Sequence, residues 1–313
     1  MVALALVLVA LGAGDHDRSL SVGGATRTYV VHVPFRVSEG RPLPVVLAFH
    51  GGGGNAAGFK AYAGLDALAD REGFVVVYPD GSGKLGRRLL TWNAGGCCGY
   101  AAAQNVDDVG FAVAVLRDVA RNVLVDPTRV YATGHSNGAM MAYRMAIEAS
   151  ERIAAIAPVA GAMQTERFPP PSPVPVLHIH SVDDPRALYT GGLGPPLPGT
   201  QSRVAHRAVE GEIRRWVAHD RCRSEPRMAE QRTAPARGGP DHTPARLVWA
   251  PCAAGTEVQL WRLTGAGHGW PGSHVRLPEK VMGPDTVTID AALEAWRFLA
   301  RFRRPDAPPL EEP

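Results

Sequence analysis

The chain has 313 residues, and 45% of them are hydrophobic, which is long enough and apolar enough to bury a sizeable core. Its 33 Lys and Arg nearly balance its 30 Asp and Glu, and no run of five or six like charges occurs. These values exclude an intrinsically disordered chain, and they leave no basic patch of the kind that binds nucleic acid.

The first fourteen residues carry no charge, and their apolar part, Val2 to Leu11, has the length of a signal-peptide core. This run is too short to span a bilayer, so no membrane span is expected. We interpret residues 1–14 as an export signal, and a truncated start would explain why no Lys or Arg precedes the apolar run. A buried N-terminal strand or helix is the alternative. The protein is therefore predicted to be secreted, or else periplasmic.

Short apolar or β-branched runs alternate with amphipathic stretches along the rest of the chain, a pattern that predicts a mostly parallel sheet with helices on both faces. No repeat or flexible linker divides it, so we expect one α/β domain over residues 15–304 and a loose tail over residues 305–313. The predicted strands are Tyr29–Val33, Val45–Phe49, Phe74–Tyr78, Val130–Thr133, Ile153–Val159, Val176–His180 and Val258–Leu263. The predicted helices are Tyr62–Glu72, Val106–Val123, Asn137–Ala149, His206–His219 and Asp290–Phe302.

A glycine-rich segment, His50 to Gly54, closes one of the early apolar strands. Glycines at such a position let the main chain approach a reacting group closely, and a backbone N–H there can bind a developing oxyanion. We select Gly52 as the donor, with Gly53 next. A flexible glycine turn is the alternative. A phosphate loop does not fit, because no Gly-Lys-Ser or Gly-Lys-Thr follows.

Residues 130–141, VYATGHSNGAMM, read as a strand that runs into Gly134-His135-Ser136-Asn137-Gly138 and then into a helix. This pattern is typical of a nucleophile elbow, in which small flanking residues let strand and helix approach while the serine hydroxyl projects. The positive end of the helix would favour an anionic intermediate at Ser136, and the N–H of Asn137 would complete the oxyanion hole. A serine in a surface turn is the alternative.

A serine nucleophile needs a histidine as base and an acid that orients the histidine. After Ser136, the strand Val176–His180 leads into a pair of acids, of which Asp184 is our candidate and Asp183 the reserve. His268 follows on a glycine-flanked loop, so the chain order is serine, acid, histidine, as in α/β-hydrolases. The Gly- and Pro-rich stretch Thr190–Ser202 after the acid suits a loop that covers the pocket and an inert insertion equally well.

The remaining candidates for ligand binding are discounted or left open. His178 and His180 alternate on a strand and suggest a metal pair, but no third ligand of suitable spacing follows, so no metal and no cofactor are expected. The four cysteines permit three disulfide pairings. We favour Cys222 with Cys252, which leaves Cys97 and Cys98 to each other, and keep the pairing open.

These motifs together resemble the extracellular polyhydroxybutyrate depolymerase and feruloyl esterase family of α/β-hydrolases. The resemblance implies the α/β-hydrolase fold, a triad of Ser136, Asp184 and His268, and a disulfide-stabilised secreted esterase. It rests on His50-Gly51-Gly52-Gly53-Gly54-Asn55, Trp92-Asn93, Cys97-Cys98-Gly99, Val106-Asp107-Asp108-Val109, the elbow with Ala139-Met140, and Gly267-His268-Gly269-Trp270-Pro271-Gly272.

The substrate is less well defined by the same comparison. The family's acid loop usually reads His-Gly-Thr-x-Asp, whereas residues 180–184 read HSVDD, and no polymer-binding module follows the domain. We expect an ester substrate, namely a small molecule, an oligomer or a plant cell-wall ester, with a hydroxyalkanoate, feruloyl or acetyl group. Trp92 and Trp270 lie nearest the motifs, and each suits stacking on a substrate ring and core packing equally well. A peptidase, an acyltransferase and a non-catalytic binding module are the rival functions.

Overall fold

The structure is a computed structural model that describes residues 11–35, 40–196, 203–234 and 241–310. The first ten residues of the predicted export signal therefore lie outside the described residues, as do the last three residues of the predicted tail. In the part that is described, no helix is long and apolar enough to cross a membrane.

Twelve strands and eight α-helices form the described part of the fold. The strands are β1 (Gly14–Val22), β2 (Ala25–Val33), β3 (Leu43–Phe49), β4 (Val75–Pro79), β5 (Val125–His135), β6 (Ala155–Val159), β7 (Val176–Ser181), β8 (Gly192–Leu193), β9 (Ala205–His206), β10 (Arg227–Gln231), β11 (Thr243–Trp249) and β12 (Val258–Thr264). The helices are α1 (Ala56–Ala63), α2 (Leu65–Glu72), α3 (Gly99–Ala103), α4 (Asp108–Asn122), α5 (Asn137–Glu148), α6 (Val209–His219), α7 (Glu279–Met282) and α8 (Ala291–Leu299).

Ten strands form one sheet in the order β1-β2-β4-β3-β5-β6-β7-β12-β11-β10. Its centre, from β4 to β12, is parallel, and antiparallel strands extend it at both edges. Every residue of β3, β6 and β7 is buried, as expected for parallel strands that are covered on both faces. The predicted α/β-hydrolase fold is confirmed.

The alternation of side chains along each strand divides the core into two layers. Helices α4, α5 and α6 cover one face of the sheet, where Phe111, Met141 and Trp216 are buried. Helices α1, α2 and α8 cover the other face, where Phe59 and Phe298 are buried. The same apolar runs that predicted the strands therefore supply the inner surface of both layers.

The structure corrects three predictions of detail. The helix predicted over Tyr62–Glu72 is two helices, because Gly64 adopts a left-handed conformation (φ 64°) that ends α1 and starts α2. The helix predicted from His206 begins at Val209 instead, since His206 pairs in β9. The predicted loose tail, residues 305–313, packs against the domain at Leu310, whose apolar side chain lies in the core and is only 4% exposed.

Cysteine pairing follows the favoured arrangement. Cys222, just after α6, is bonded to Cys252, just after β11, and Cys97 is bonded to Cys98. The first bond ties the covering helix α6 to the antiparallel edge of the sheet. The second lies in the loop between β4 and α3, within a small apolar cluster that also contains Met140 of α5 and Val204.

Candidate active site

Three parallel strands bring the predicted catalytic residues to the same edge of the sheet. Ser136 follows β5, Asp184 follows β7 and His268 follows β12, and these strands lie in the order β5-β6-β7-β12. The carboxyl ends of parallel strands meet at one edge, where α/β proteins bind their ligands. The ring of His268 lies against that of His135, with 4.8 Å between ring centroids. The loop that carries His268 therefore contacts the residue next to Ser136.

Ser136 occupies a conformation that non-glycine residues rarely adopt, with φ 56° and ψ −119°. Its N–H donates to the carbonyl of Val159 at 2.9 Å, and its own carbonyl accepts from Met140 N at 3.1 Å. Ser136 is partly exposed, whereas its neighbours His135 and Asn137 are buried. The sharp turn thus directs the serine outward at the point where β5 ends and α5 begins, which is the geometry of a nucleophile elbow.

The glycines of the elbow are required by close backbone contacts. A Cβ on Gly138 would fall far inside van der Waals contact with the carbonyl of Phe49, and one on Gly134 would meet the backbone of Gly138 and Phe49. A Cβ on Gly161, in the loop after β6, would fall on the carbonyl of Ser136. The chain therefore needs glycine where α5 approaches β3 and the glycine-rich segment His50–Gly54 that follows β3, which we call the oxyanion loop.

The close packing at Gly138 predicts that alanine there and alanine at another helix glycine, Gly211, have opposite effects on the free energy of unfolding. Gly138→Ala should lower the free energy of unfolding by about 2 kcal/mol or more, because the backbone of the elbow must shift. Gly211→Ala, in α6, should raise it by up to about 1 kcal/mol, since its Cβ would meet only Ala208 Cβ at 3.8 Å. Urea unfolding of both variants checks this, and equal effects would contradict the packing argument.

Backbone hydrogen bonds identify which glycine of the oxyanion loop is free to donate. Gly53 N–H is bonded to Leu90 O at 2.8 Å and Gly54 N–H to Gly51 O at 3.0 Å. The N–H of Gly52 has no partner among the described residues, and Gly52 lies beside Asn137. This arrangement favours Gly52 over Gly53, which had been the second candidate.

The side chain of Asn137 fixes the loop that follows β4. Its Oδ1 accepts from Trp92 N at 2.7 Å, and its Nδ2 donates to Trp92 O at 3.1 Å. The main-chain N–H of Asn137 is the first of α5 and has no acceptor within the helix. Gly52 and Asn137 therefore lie next to each other, and among the described residues neither main-chain N–H has an acceptor.

The carboxylate of Asp184 is fully committed to hydrogen bonds. Its Oδ1 accepts from Arg186 N at 2.7 Å and Ala187 N at 2.8 Å, and its Oδ2 lies 2.6 Å from His268 Nδ1. Burial would raise the pKa of Asp184, but the charge of His268 and hydrogen bonds from His180 and His268 lower it well below its usual range. Asp184 is therefore an ionised carboxylate in contact with His268, whereas the reserve acid Asp183 accepts from Gly265 N at 2.7 Å.

Neither of the two tryptophans considered for substrate binding, Trp92 and Trp270, presents a ring to a ligand in this structure. Trp92 is fully buried, and its Nε1 donates to His50 O at 2.9 Å. Trp270 is 2% exposed and packs edge-on against Phe59 in the core. The geometry therefore assigns both rings to packing, because a side chain without accessible surface cannot stack on a substrate.

A short hairpin, formed by β8 and β9, flanks the site. Strand β8 of this hairpin lies in the described part of the Gly- and Pro-rich stretch, residues 190–196. Residues 197–202 of the stretch lie outside the described ranges. Burial and then the charge of His268 lower the pKa of His206 on β9 to about 4. Val204 packs against Met140, one turn after Ser136. These contacts favour a pocket-lining segment over an inert insertion.

Two buried histidines beside the site make stability depend on pH. Burial lowers the pKa of His50 to about 4, and burial with the charge of His268 lowers that of His135 to about 3. Unfolded histidines titrate near ~6.5, so below that pH the unfolded chain binds protons that the folded chain does not. The stability that the folded state gains from holding both rings neutral is therefore complete above pH ~6.5. It is lost as the pH falls toward the pKa values of the folded state.

We therefore expect each histidine to cost roughly 3 kcal/mol of unfolding free energy as the pH falls from about 6.5 to about 4. Urea unfolding of the wild type and His50→Gln at pH 7.5 and 4.5 checks this. The glutamine cannot titrate, and its Oε1 can still accept from Gly81 N, which now donates to His50 Nε2 at 3.0 Å. An unchanged pH dependence in H50Q would contradict the argument.

The sheet order, the strained serine between β5 and α5, and the acid and histidine that follow β7 and β12 define an α/β-hydrolase. A family model described as esterase PHB depolymerase matches residues 27–219, which is more than half of the chain. The chain belongs to this family, and it is a carboxylic ester hydrolase.

Known proteins agree with this assignment. NocK of Nocardia uniformis subsp. tsuyamanensis, named as a candidate esterase, is 32% identical over 90% of this chain and 81% of its own length. Feruloyl esterase B of Piromyces equi is 25% identical over 77% of this chain, which spans 42% of that longer protein. The structure of acetyl xylan esterase from Aspergillus awamori shares the fold, with a TM-score of 0.51, 15% identity, and coverage of 81% of this chain and 94% of that one.

Proposed function

We propose that the protein is a secreted serine esterase in which Ser136, His268 and Asp184 act as nucleophile, base and orienting acid. The observation that carries this proposal is the 2.6 Å contact between His268 Nδ1 and Asp184 Oδ2, at the sheet edge where Ser136 projects from its elbow. The contact fixes the neutral imidazole with its proton on Nδ1, so that Nε2 is free to accept the serine proton.

The reaction would proceed through an acyl-enzyme. His268 Nε2 takes the proton of Ser136 as Oγ attacks the ester carbonyl, and the N–H groups of Gly52 and Asn137 bind the oxyanion. His268 then gives that proton to the leaving alcohol, and the carbonyl re-forms on Ser136. Water, deprotonated by the same histidine, hydrolyses the acyl-enzyme and restores the serine. These steps use only side chains and backbone of this chain, and no cofactor enters them.

The substrate class proposed is a hydroxyalkanoate ester of the polyhydroxybutyrate type, or a feruloyl or acetyl ester. The family model, described as a polyhydroxybutyrate depolymerase esterase, and the similarity to a feruloyl esterase support this range. Export is supported by the two disulfides, since such bonds persist in oxidising compartments.

Initial rates on methyl ferulate, short p-nitrophenyl esters and soluble 3-hydroxybutyrate oligomers test this proposal, with Ser136→Ala as the blank. Hydrolysis above the blank is expected, and the preferred ester names the substrate class. Matched amides distinguish an esterase from a peptidase. No rate above the blank on any ester, together with no labelling of Ser136 by a fluorophosphonate, would overturn the proposal in favour of a binding module.

A further inference from the structure

A chain of buried hydrogen bonds runs from helix α5 to the acid of the site. His178 and His180 point to the same face of β7, because they are two residues apart on a strand, and they are 0% and 1% exposed. Tyr143 of α5 packs on that face, and its hydroxyl lies 3.0 Å from His178 Nδ1. His178 Nε2 is 2.9 Å from His180 Nδ1. The chain therefore joins three side chains that the catalytic reaction does not use.

The far end of this chain is at Asp184. His180 Nε2 lies 2.8 Å from Ala187 O and 3.2 Å from Asp184 Oδ2. Both of these oxygens can only accept a hydrogen bond, since one is a backbone carbonyl and the other belongs to a carboxylate. His180 Nε2 must therefore carry a proton.

The proton on His180 Nε2 fixes the direction of each hydrogen bond from Tyr143 through His178 to His180. A neutral His180 with its proton on Nε2 can only accept at Nδ1, so His178 must donate from Nε2. His178 in turn accepts at Nδ1, and the hydroxyl of Tyr143 donates. Each of the two rings thus has one donor and one acceptor in use, and neither ring has a nitrogen without a partner.

The surroundings keep the ring of His178 neutral. Burial and the neighbouring His180 hold the pKa of His178 well below its usual range. The other titratable groups that face the chain are Asp184, His268, His135 and His206 near His180, and Glu212 near Tyr143. A second proton on His178, at Nδ1, would remove the acceptor to which the hydroxyl of Tyr143 donates.

We propose that His180 is a positioning residue for Asp184, and that Tyr143 and His178 set the tautomer that this role requires. His180 fastens the turn from Asp184 to Ala187 through Ala187 O, and the same N–H approaches Asp184 Oδ2, the oxygen that faces His268. The contact orients the carboxylate without touching the substrate. The proposal rests on the function proposed above, because it deepens the role of the same acid.

The first test measures the tautomers and does not depend on any activity. NMR of the wild-type protein with ¹⁵N-labelled histidine at pH 7 should show protonated Nε2 and unprotonated Nδ1 on both His178 and His180. Signals are assigned by their loss in single variants of each histidine. A proton on Nδ1 of either ring, alone or in addition to one on Nε2, would overturn the proposed chain.

The second test uses two nearly isosteric substitutions of His180. Glutamine places an amide N–H where Nε2–H now lies, whereas methionine fills the space without a donor. We expect His180→Met to lower kcat by about ten- to a hundredfold with KM changed by less than about twofold, and His180→Gln to recover most of that loss. Equal loss in both variants, or no loss in H180M, would overturn the positioning role.

A spectroscopic measurement on the same variants separates this proposal from the proposed function. The proton between His268 Nδ1 and Asp184 should give a low-field ¹H signal in the wild type and in H180Q, and a shifted or broadened signal in H180M. The same signal in all three proteins would overturn the positioning role even if the enzyme is active. Absence of ester hydrolysis by the wild type would instead contradict the proposed function.

Discussion

Ser136→Ala is expected to lower kcat on the preferred ester by about 10⁴- to 10⁶-fold, the range found when a triad serine is removed. The alanine has no hydroxyl to form the acyl-enzyme, and Gly52 and Asn137 can still polarise a bound carbonyl, so a small residual rate should remain. KM should change little, since Ser136 does not bind the rest of the substrate. Single-turnover and steady-state assays measure both quantities.

The substitution should leave the fold intact. Alanine keeps the backbone bonds of residue 136 to Val159 and Met140, and its Cβ occupies the place of the serine Cβ. Ser19→Ala, on an exposed position of β1, serves as the matched control and should retain full activity and fluorophosphonate labelling. Retained labelling in S136A would show that another residue is the nucleophile.

Much of the site could be predicted because its chemistry imposes strict local requirements. A nucleophile elbow needs glycine at positions 134 and 138, where a Cβ would meet backbone atoms, and an oxyanion loop needs glycine at the end of β3. Such requirements leave a sequence pattern that does not depend on the rest of the fold. The order of the three catalytic candidates followed from the same patterns, and the structure brings Asp184 and His268 together.

The central strands were also predicted, whereas the edges of the sheet were not. Strands β3, β6 and β7 are buried on both faces and read as continuous apolar runs. Strand β1 is GDHDRSLSV and β10 is RMAEQ, with most of their residues exposed or half-buried. Antiparallel edge strands with a solvated face contain many polar residues, so their sequences resemble loops.

The roles of long-range contacts could not be read from the sequence. Trp92 next to a motif suggested a substrate platform, but its burial depends on Phe49 and His50, more than forty positions away. Similarly, two histidines that alternate on a strand are typical of a metal pair as much as of a hydrogen-bonded chain. Only the position of Tyr143 on α5 and of Ala187 after the acid distinguishes these interpretations.

Asp184→Asn is expected to lower kcat by about 10⁴-fold while the protein remains folded. The amide should keep its oxygen toward Arg186 N and Ala187 N, which donate to Asp184 Oδ1 in the wild type. Its NH₂ group then faces His268 Nδ1 and donates to it. The histidine must move its proton to Nε2, the atom that has to accept the proton of Ser136, so the base is blocked by the wrong tautomer.

Asp183→Asn provides the matched control, because it removes the same charge one residue away. Among the described residues, its carboxylate accepts one hydrogen bond, from Gly265 N, which an amide oxygen can accept equally well. D183N should therefore keep kcat within about threefold of the wild type, since the tautomer of His268 does not depend on it. Steady-state assays of both variants at pH 7 decide between the acids: a large loss in D183N with little loss in D184N would transfer the orienting role to Asp183. A comparable loss in both would instead indicate that net charge near His268, and not the direction of one hydrogen bond, controls the base.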